Sequence, residues 1–368
     1  MGKINERKGI PLPKQIKGAL LKDIKEGRIK PGEKIPSEEE IAEKFGVSRM
    51  TAREAVIELI NEGYLYRLPG KGTFLKEDLS EKKEILKKTI VIKVPNLKNS
   101  FYYEIIGGAE IIFTQREYEF KILTERDNPV EEKEIFEKIL KEKEEGVLLI
   151  SAYYTHTNLS VLKKMIEKIP VVVIDVKVPQ IKVDTVISDD FKGGFMITEH
   201  LIELGYKKIL HLSGPSGDSS ADGRRDGYIE SMKKYGLKPI IRYTKWELED
   251  GYFETKKIFL NRNDIESIFC CNDEVAIGCF KALKEIGKKV PEEVSIAGYG
   301  NMDISKVIEV PFTTVDQSPE EMGKIAANLL LDKIEGKRKF KEAEEIKVNT
   351  KLIIRNSCGI YIPKKREN

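Results

Sequence analysis

The chain is poor in the residues that redox, metal or nucleophilic chemistry needs. Its 368 residues include four cysteines and three histidines. Cys270, Cys271, Cys279 and Cys358 stand at no metal-ligand spacing. They read as buried, reduced thiols of a cytosolic protein rather than as a disulfide framework. His156, His200 and His211 are scattered, so no motif suggests a metal site or a triad. Neither a Walker-type phosphate loop nor a Gly-x-Ser-x-Gly elbow occurs. These absences argue against an α/β enzyme, and no cofactor is expected. No apolar run approaches the ~20 residues of a membrane span. The start, MGKINERKGI, is charged and lacks an apolar signal region, and Glu6 stands where a myristoylation signal wants Ser or Thr. A cytoplasmic protein that does not enter the membrane is expected. Glutamine is scarce, with four residues against abundant Lys, Glu and Ile, a thermophile-like balance.

At this length two or three packed units are expected, and an apolar fraction of 40% suffices for their cores. The net charge is only +3, but it is unevenly placed. Residues 1–75 hold 15 Lys or Arg against 11 Asp or Glu, while the remainder holds 49 against 50. The cationic bias therefore sits at the front.

The segment KIPSEEEIAEKFGVSRMTAREAVIELINEGYLYRLPGKGTFL, Lys34 to Leu75, reads as helix, turn, helix and hairpin. Ser37 with Glu40 forms a capping-box pattern. Ile41, Ala42 and Phe45 give the first helix its apolar face, and Gly46 supplies the turn. Ser48 caps a second helix in which Ala52, Val56, Leu59 and Ile60 recur at helical spacing. Tyr64–Tyr66 and Thr73–Leu75 predict two short strands around Pro69-Gly70-Lys71-Gly72. A helix over 10–27, with Ile16, Leu20, Leu21 and Ile24 as its stripe, backs this unit. Arg49 and Arg53 lie four apart in the second helix, with Thr51 between them. Arg there can pair bidentately with guanine in a major groove, and Lys71 at the hairpin tip suits a phosphate or minor-groove contact. The competing reading is a winged helix used for protein contacts.

The Pro-Ser-Glu first helix, the Val-Ser-Arg-x-Thr-x-Arg second helix and the Gly-x-Gly-Thr-Phe wing closely resemble the GntR family, over residues 10–76. The resemblance implies double-stranded operator DNA as partner. It implies contacts from Ser37, Glu39, Ser48, Arg49, Thr51, Arg53, Gly70 and Lys71.

Residues 77–88 (EDLSEKKEILKK within that region) are charged and read as a linker with some helical tendency. From Thr89 onward, β-rich apolar runs alternate with amphipathic helices: IVIKV, EFKIL, GVLLIS, VVVID, KILHLS, SIFCC and VSIAGY. Such alternation predicts parallel sheets covered on both faces, in two lobes with a cleft at the strand ends. Asp175 ends VVVID. Asn272 and Asp273 end SIFCC, where Asp273 is expected to cap a helix from Glu274. Arg224 is expected at the start of a helix over Gly223–Tyr235. Gln317 follows TTVD, and Trp246 stands in a polar segment. Carboxylate, amide and guanidinium groups around an aromatic wall suit a polyhydroxylated ligand.

SDDFKGGFMITEHLIELGYKKILHLSG, Arg224 to Tyr228, CNDEVAIGCFKALKEIGKKVPEEVSIAGY and PFTTVDQSPEEMGKIAANLLL resemble the LacI-type effector domain, over residues 89–358. By that resemblance Asp175, Arg224, Trp246, Asn272 and Gln317 bind the effector, and Ser100 and Phe101 line the cleft. One departure stands out: Gly300 occupies the place where that family carries a ligand-gripping Asp after Gly-Tyr.

The expected architecture is an N-terminal winged helix-turn-helix (α+β, residues 1–76), a linker (77–88) and a two-lobed α/β periplasmic-binding-protein-like domain (89–368). This uncommon combination resembles the arabinose-responsive repressors of Gram-positive bacteria. It implies a cytoplasmic, homodimeric repressor released from DNA by a sugar effector, L-arabinose. Alternatives are a regulator sensing another pentose or a nucleoside, a transporter's solute-binding protein, and an α/β enzyme.

Overall fold

The computed structural model describes residues 11–25, 27–76, 89–126, 128–142, 144–150, 158–178, 181–339 and 343–359. It divides into two compact units, Met1–Leu86 and Lys87–Asn368. The expected linker, 77–88, and His156 lie outside the described residues.

The first unit contains α1 (Leu12–Lys25), α2 (Glu38–Phe45), α3 (Arg49–Asn61), β1 (Leu65–Leu68) and β2 (Gly72–Leu75). Ser37 caps α2: its hydroxyl accepts from the Glu40 N–H at 3.2 Å, while the Glu40 carboxylate accepts from the Ser37 N–H at 2.7 Å. Two orphan donors at the helix start are thereby satisfied. Gly46 ends α2 at φ 67°, a conformation that a side chain disfavours, and the chain turns into α3. Ile16, Leu20, Ile41, Val56, Leu59, Leu65 and Leu75 close the core. Each large side chain so buried contributes about 1.5–3 kcal/mol. β1 and β2 pair antiparallel, Leu65 opposite Leu75, to form the wing.

The second unit has two lobes. The first holds β3 (Thr89–Val94), α4 (Ser100–Gln115), β4 (Glu119–Thr124), α5 (Pro129–Glu142), β5 (Gly146–Ile150), α6 (Leu159–Ile166), β6 (Val171–Ile174) and β7 (Asp184–Ser188). The chain then builds α7 (Asp190–Glu203), β8 (Ile209–Ser213), α8 (Ser219–Lys234), β9 (Ile240–Tyr243) and α9 (Leu248–Phe259) in the second lobe. It continues there with β10 (Ser267–Cys270), α10 (Asp273–Glu285), β11 (Ser295–Ala297) and the short α11 (Asp303–Val307). β12 (Thr314–Asp316) leads back to α12 (Pro319–Ile334) and β13 (Glu345–Val348) on the first lobe, and β14 (Lys351–Ile353) returns to pair with β12.

The first sheet is parallel, in the order β13-β7-β6-β5-β3-β4, and the second is parallel, in the order β11-β10-β8-β9. β5, β6 and β8 are buried along their whole length, which explains their near-continuous apolar sequences. α12 packs on α4 backbone to backbone. A Cβ at Gly323 would lie 2.0 Å from the Ile105 carbonyl, and one at Gly108 would lie 2.0 Å from that of Glu320. Glycine is what lets these helices touch, and so fastens the returning chain to the first lobe.

Two sequence expectations are corrected. α8 begins at Ser219, not Gly223, because Asp218 accepts from the Ser220 and Ala221 N–H groups. Arg224 therefore stands in the second turn of α8. The cap of α10 is Asn272, which accepts from the Val275 N–H at 2.7 Å. Asp273 is instead the first helical residue and fully buried. It accepts from the Met302 N–H and the Thr314 hydroxyl, each at 2.8 Å. All four cysteines are buried and free.

Candidate functional site

Two places concentrate polar side chains that the folds do not need for packing. In the first unit the place is the start of α3 and the wing tip. The Ser48 hydroxyl accepts from the Thr51 N–H at 3.1 Å and lies 2.8 Å from the Thr51 hydroxyl. Ser48, Arg49, Met50 and Arg53 are exposed on the face away from the core. The Arg49 guanidinium lies 3.0 Å from the Glu39 carboxylate and 3.9 Å from that of Glu38, which Arg67 of β1 also engages. Exposed pairs of this kind are worth about 0–1 kcal/mol, so a phosphate or a base edge displaces them readily. Gly70, at φ 72°, and exposed Lys71 form the wing tip. A guanidinium-bearing helix start beside a cationic wing matches what a duplex groove and its backbone require.

In the second unit the place is a cavity of about 380 Å³ between the lobes. Phe101, Asp175, Arg224, Trp246, Asn272 and Gln317 all line it; Ser100 does not. Asp175 directly follows β6 and adopts φ 81°, a strained backbone for a residue with a side chain. Its N–H donates to the Val186 carbonyl and its carbonyl accepts from the Ser220 hydroxyl, so both neighbouring segments hold it there. Gln317 donates to the Ser188 hydroxyl at 3.1 Å. Asn272, besides capping α10, donates to the Trp246 carbonyl at 2.8 Å and so fixes the loop carrying the indole. Trp246 packs partly on the second lobe's core while facing the cavity.

Arg224 is the hub. Its side chain is buried, with Nε donating to Asp190 Oδ1 at 2.8 Å and Nη1 to the Cys271 carbonyl at 2.7 Å. The guanidinium lies 4.0 Å from the centre of the Tyr299 ring and 5.4 Å from that of Trp246. Burial works against its charge, but Asp190, Tyr299 and Asp175 outweigh burial and hold its pKa above the ordinary arginine value. Burial, with Asp190 second, pushes the Asp175 carboxyl up to about 7, against the pull of Arg224. The Tyr299 hydroxyl is buried without a hydrogen bond of normal geometry, and burial drives its pKa well up.

Residues 12–75 match the bacterial regulatory proteins of the gntR family, and residues 198–358 match the periplasmic binding protein-like domain. Over 359 residues the chain is 32% identical to the arabinose metabolism transcriptional repressor of Halalkalibacterium halodurans, covering 94% of this chain and 96% of that protein. The repressor of the same description from Geobacillus stearothermophilus is 30% identical over 362 residues, with 96% and 99% covered. Among solved structures, a LacI family transcriptional regulator from Enterococcus faecium with bound ribose superposes with a TM-score of 0.66. It is 27% identical and covers 75% of this chain and 100% of that one. The chain belongs to this family of transcriptional repressors.

Several residues that shape the repressor's cavity escape sequence reasoning. Asp190 and Tyr299 clamp Arg224 but lie far from it in the chain, in no motif that names them as partners. Lys98, Asp218, Glu247 and Glu274 also line the cavity. Their positions just after a strand or at a helix start carry the signal that could have found them. Gly300 faces the cavity at φ 117°, and a Cβ there would come no closer than 3.7 Å to a neighbour. A side chain starting there would be in ordinary van der Waals contact with Met302 and Gln317, and Gly300 supplies none. Among the described residues, no group of His, Cys, Asp and Glu is placed to hold a metal ion, and no helix is long and apolar enough to cross a membrane.

Proposed function

We propose that this repressor binds operator DNA as a homodimer through its first unit and is released when a sugar, L-arabinose, occupies the cavity of its second. The single observation carrying the ligand reading is the buried Arg224, clamped by Asp190 and stacked on Tyr299, beside Asp175, Trp246, Asn272 and Gln317. A guanidinium held this way presents its remaining N–H groups to vicinal hydroxyls, and the indole covers the apolar face of a sugar ring. The description of two relatives as repressors of arabinose metabolism supports arabinose, and the ribose bound to the Enterococcus faecium regulator supports a pentose-sized ligand. Release requires that sugar bind one arrangement of the lobes better than the other, and the coupling is then reciprocal.

The test is DNA affinity of the intact, cytoplasmic repressor with and without saturating L-arabinose, beside calorimetric titration of pentoses, hexoses and nucleosides. L-Arabinose is expected to bind and to weaken operator binding. A nucleoside that binds while every pentose is inert would overturn the sugar reading.

In the first unit, Ser37, Glu39, Ser48, Arg49, Thr51, Arg53, Gly70 and Lys71 form the DNA-contacting face, with Arg49 and Arg53 reading bases. Arg49→Ala or Arg53→Ala is expected to cost about 1–3 kcal/mol on the operator and less on a scrambled duplex. Lys71→Ala is expected to weaken both duplexes alike and to lower the salt slope by about 1. Titrations at several salt concentrations check this, and equal losses on both duplexes for the arginine variants would refute base reading.

A further inference from the structure

We propose that Met50 is a specificity-determining residue of the repressor, its thioether side chain reading the 5-methyl group of one thymine in the major groove. This rests on the base-reading face proposed above and adds to it a contact that neither arginine can make.

Met50 has no place in the packing of its unit. It is 70% exposed, against 38% for Ile57 and Leu68, the other large apolar side chains exposed among the unit's described residues. The core of the unit closes without it. Among the described residues it is the one exposed methionine: Met165, Met232 and Met322 are fully buried, and Met196 and Met302 are half-buried.

The first turn of α3 also departs from what a helix start favours. Carboxylates there complement the helix dipole. α2 opens on three of them, Glu38, Glu39 and Glu40. α3 opens on Arg49, Met50 and Thr51, with no acidic residue. A carboxylate at position 50 would favour the helix but repel a phosphate backbone. Methionine gives up the first effect and avoids the second.

Position 50 shares its outward face with Arg53 and Glu54, three and four residues on, and all three are exposed. A thioether is at best a weak acceptor, so it reads the polar base edges poorly. The apolar group that the major groove offers is the thymine methyl, and a flexible, polarisable side chain packs well on it. The Thr51 methyl is a rival for the contact, but Thr51 is half-buried and its hydroxyl lies 2.8 Å from that of Ser48. Met50 stands open to solvent beside the two guanidinium groups, so the thymine is expected close to the guanine that Arg53 pairs with.

The test starts by letting the full chain select its preferred duplex from a randomised pool. That duplex is remade with deoxyuridine in place of thymidine, one position at a time, which removes only the methyl. Wild-type affinity is expected to fall roughly fourfold at one thymine of each half-site, the worth of one buried methyl. In Met50→Ala that penalty is expected to vanish, while the penalties for replacing guanines stay. A uridine scan that is flat in the wild type, or a penalty that persists in Met50→Ala, would overturn the proposal. Arg49→Ala and Arg53→Ala on the same duplexes keep the two readings apart. Discrimination by the arginines beside a flat uridine scan would remove Met50 alone. Equal losses of the arginine variants on selected and scrambled duplexes, or a pool with no preferred duplex, would refute base reading by this face and Met50 with it.

Discussion

Arg224→Ala is expected to abolish ligand binding and to lower the unfolding stability of the second unit by about 3–5 kcal/mol, because it leaves the Asp190 carboxylate buried without its cation. The stability loss has nothing to do with the ligand. Arg224 is 4% exposed and Asp190 7% exposed, so neither charge can turn to water when its partner is removed. The Cys271 carbonyl would lose its donor as well, and the ring of Tyr299 would lose the cation stacked 4.0 Å above it. A second variant separates the two effects. Arg224→Met with Asp190→Asn removes both charges, keeps much of the volume, and should recover most of the stability while still failing to bind sugar. Urea unfolding and calorimetry on both variants check the pair of outcomes. A loss below 1 kcal/mol in Arg224→Ala would mean that the ion pair is not buried in solution.

Asp175→Asn is expected to flatten the pH dependence of that unit's stability. The native carboxyl is raised to about 7, against an ordinary value of 3.8, chiefly by burial. A raised carboxyl binds protons more tightly in the native than in the unfolded state. The stability it contributes is therefore complete below the ordinary value and lost as pH climbs through about 7. The full swing for such a shift is on the order of 4 kcal/mol. Asparagine carries no charge to desolvate and tolerates the left-handed backbone at this position better than most residues. Compared with the wild type, Asp175→Asn should gain stability as pH rises from 5 to about 7 and level off above that. Urea midpoints over that range measure it, and parallel profiles for the two proteins would show that Asp175 is not the group responsible.

What the sequence made legible follows the reach of its signals. The winged helix was readable nearly in full because its capping box, its Gly46 turn and its wing are all local, each set by residues within a few positions. The two parallel sheets were readable from runs such as Val171–Ile174, whose apolar character records burial on both faces. Asp175, Arg224, Asn272 and Gln317 were legible as strand-end or helix-start polar groups, and they share one cavity. Their partners were not legible. Asp190 and Arg224 are 34 residues apart and meet only because α7 lies against α8. The choice of cap failed at Asn272 and Asp273 for a related reason. Both residue types cap well, and what drew Asp273 into the helix is a pair of distant donors, Met302 and Thr314.

The return of α12 and β13 to the first lobe has a consequence for how the protein is made. The first lobe's core includes Met322, Ala326 and Leu330 of α12, together with Val348 at the end of β13. A ribosome that has finished β7 must still add about 150 residues before α12 is complete, which takes roughly 10–30 s at ordinary elongation rates. Throughout that interval β5, β6 and α4 have emerged without the helix that covers them. The second lobe, whose α7 through β11 are contiguous, can condense in the meantime. The nascent chain therefore carries an uncovered apolar sheet beside a second lobe that itself still waits for Val315 and Cys358 to close its core, so both lobes are completed only as the last described strand and turn emerge.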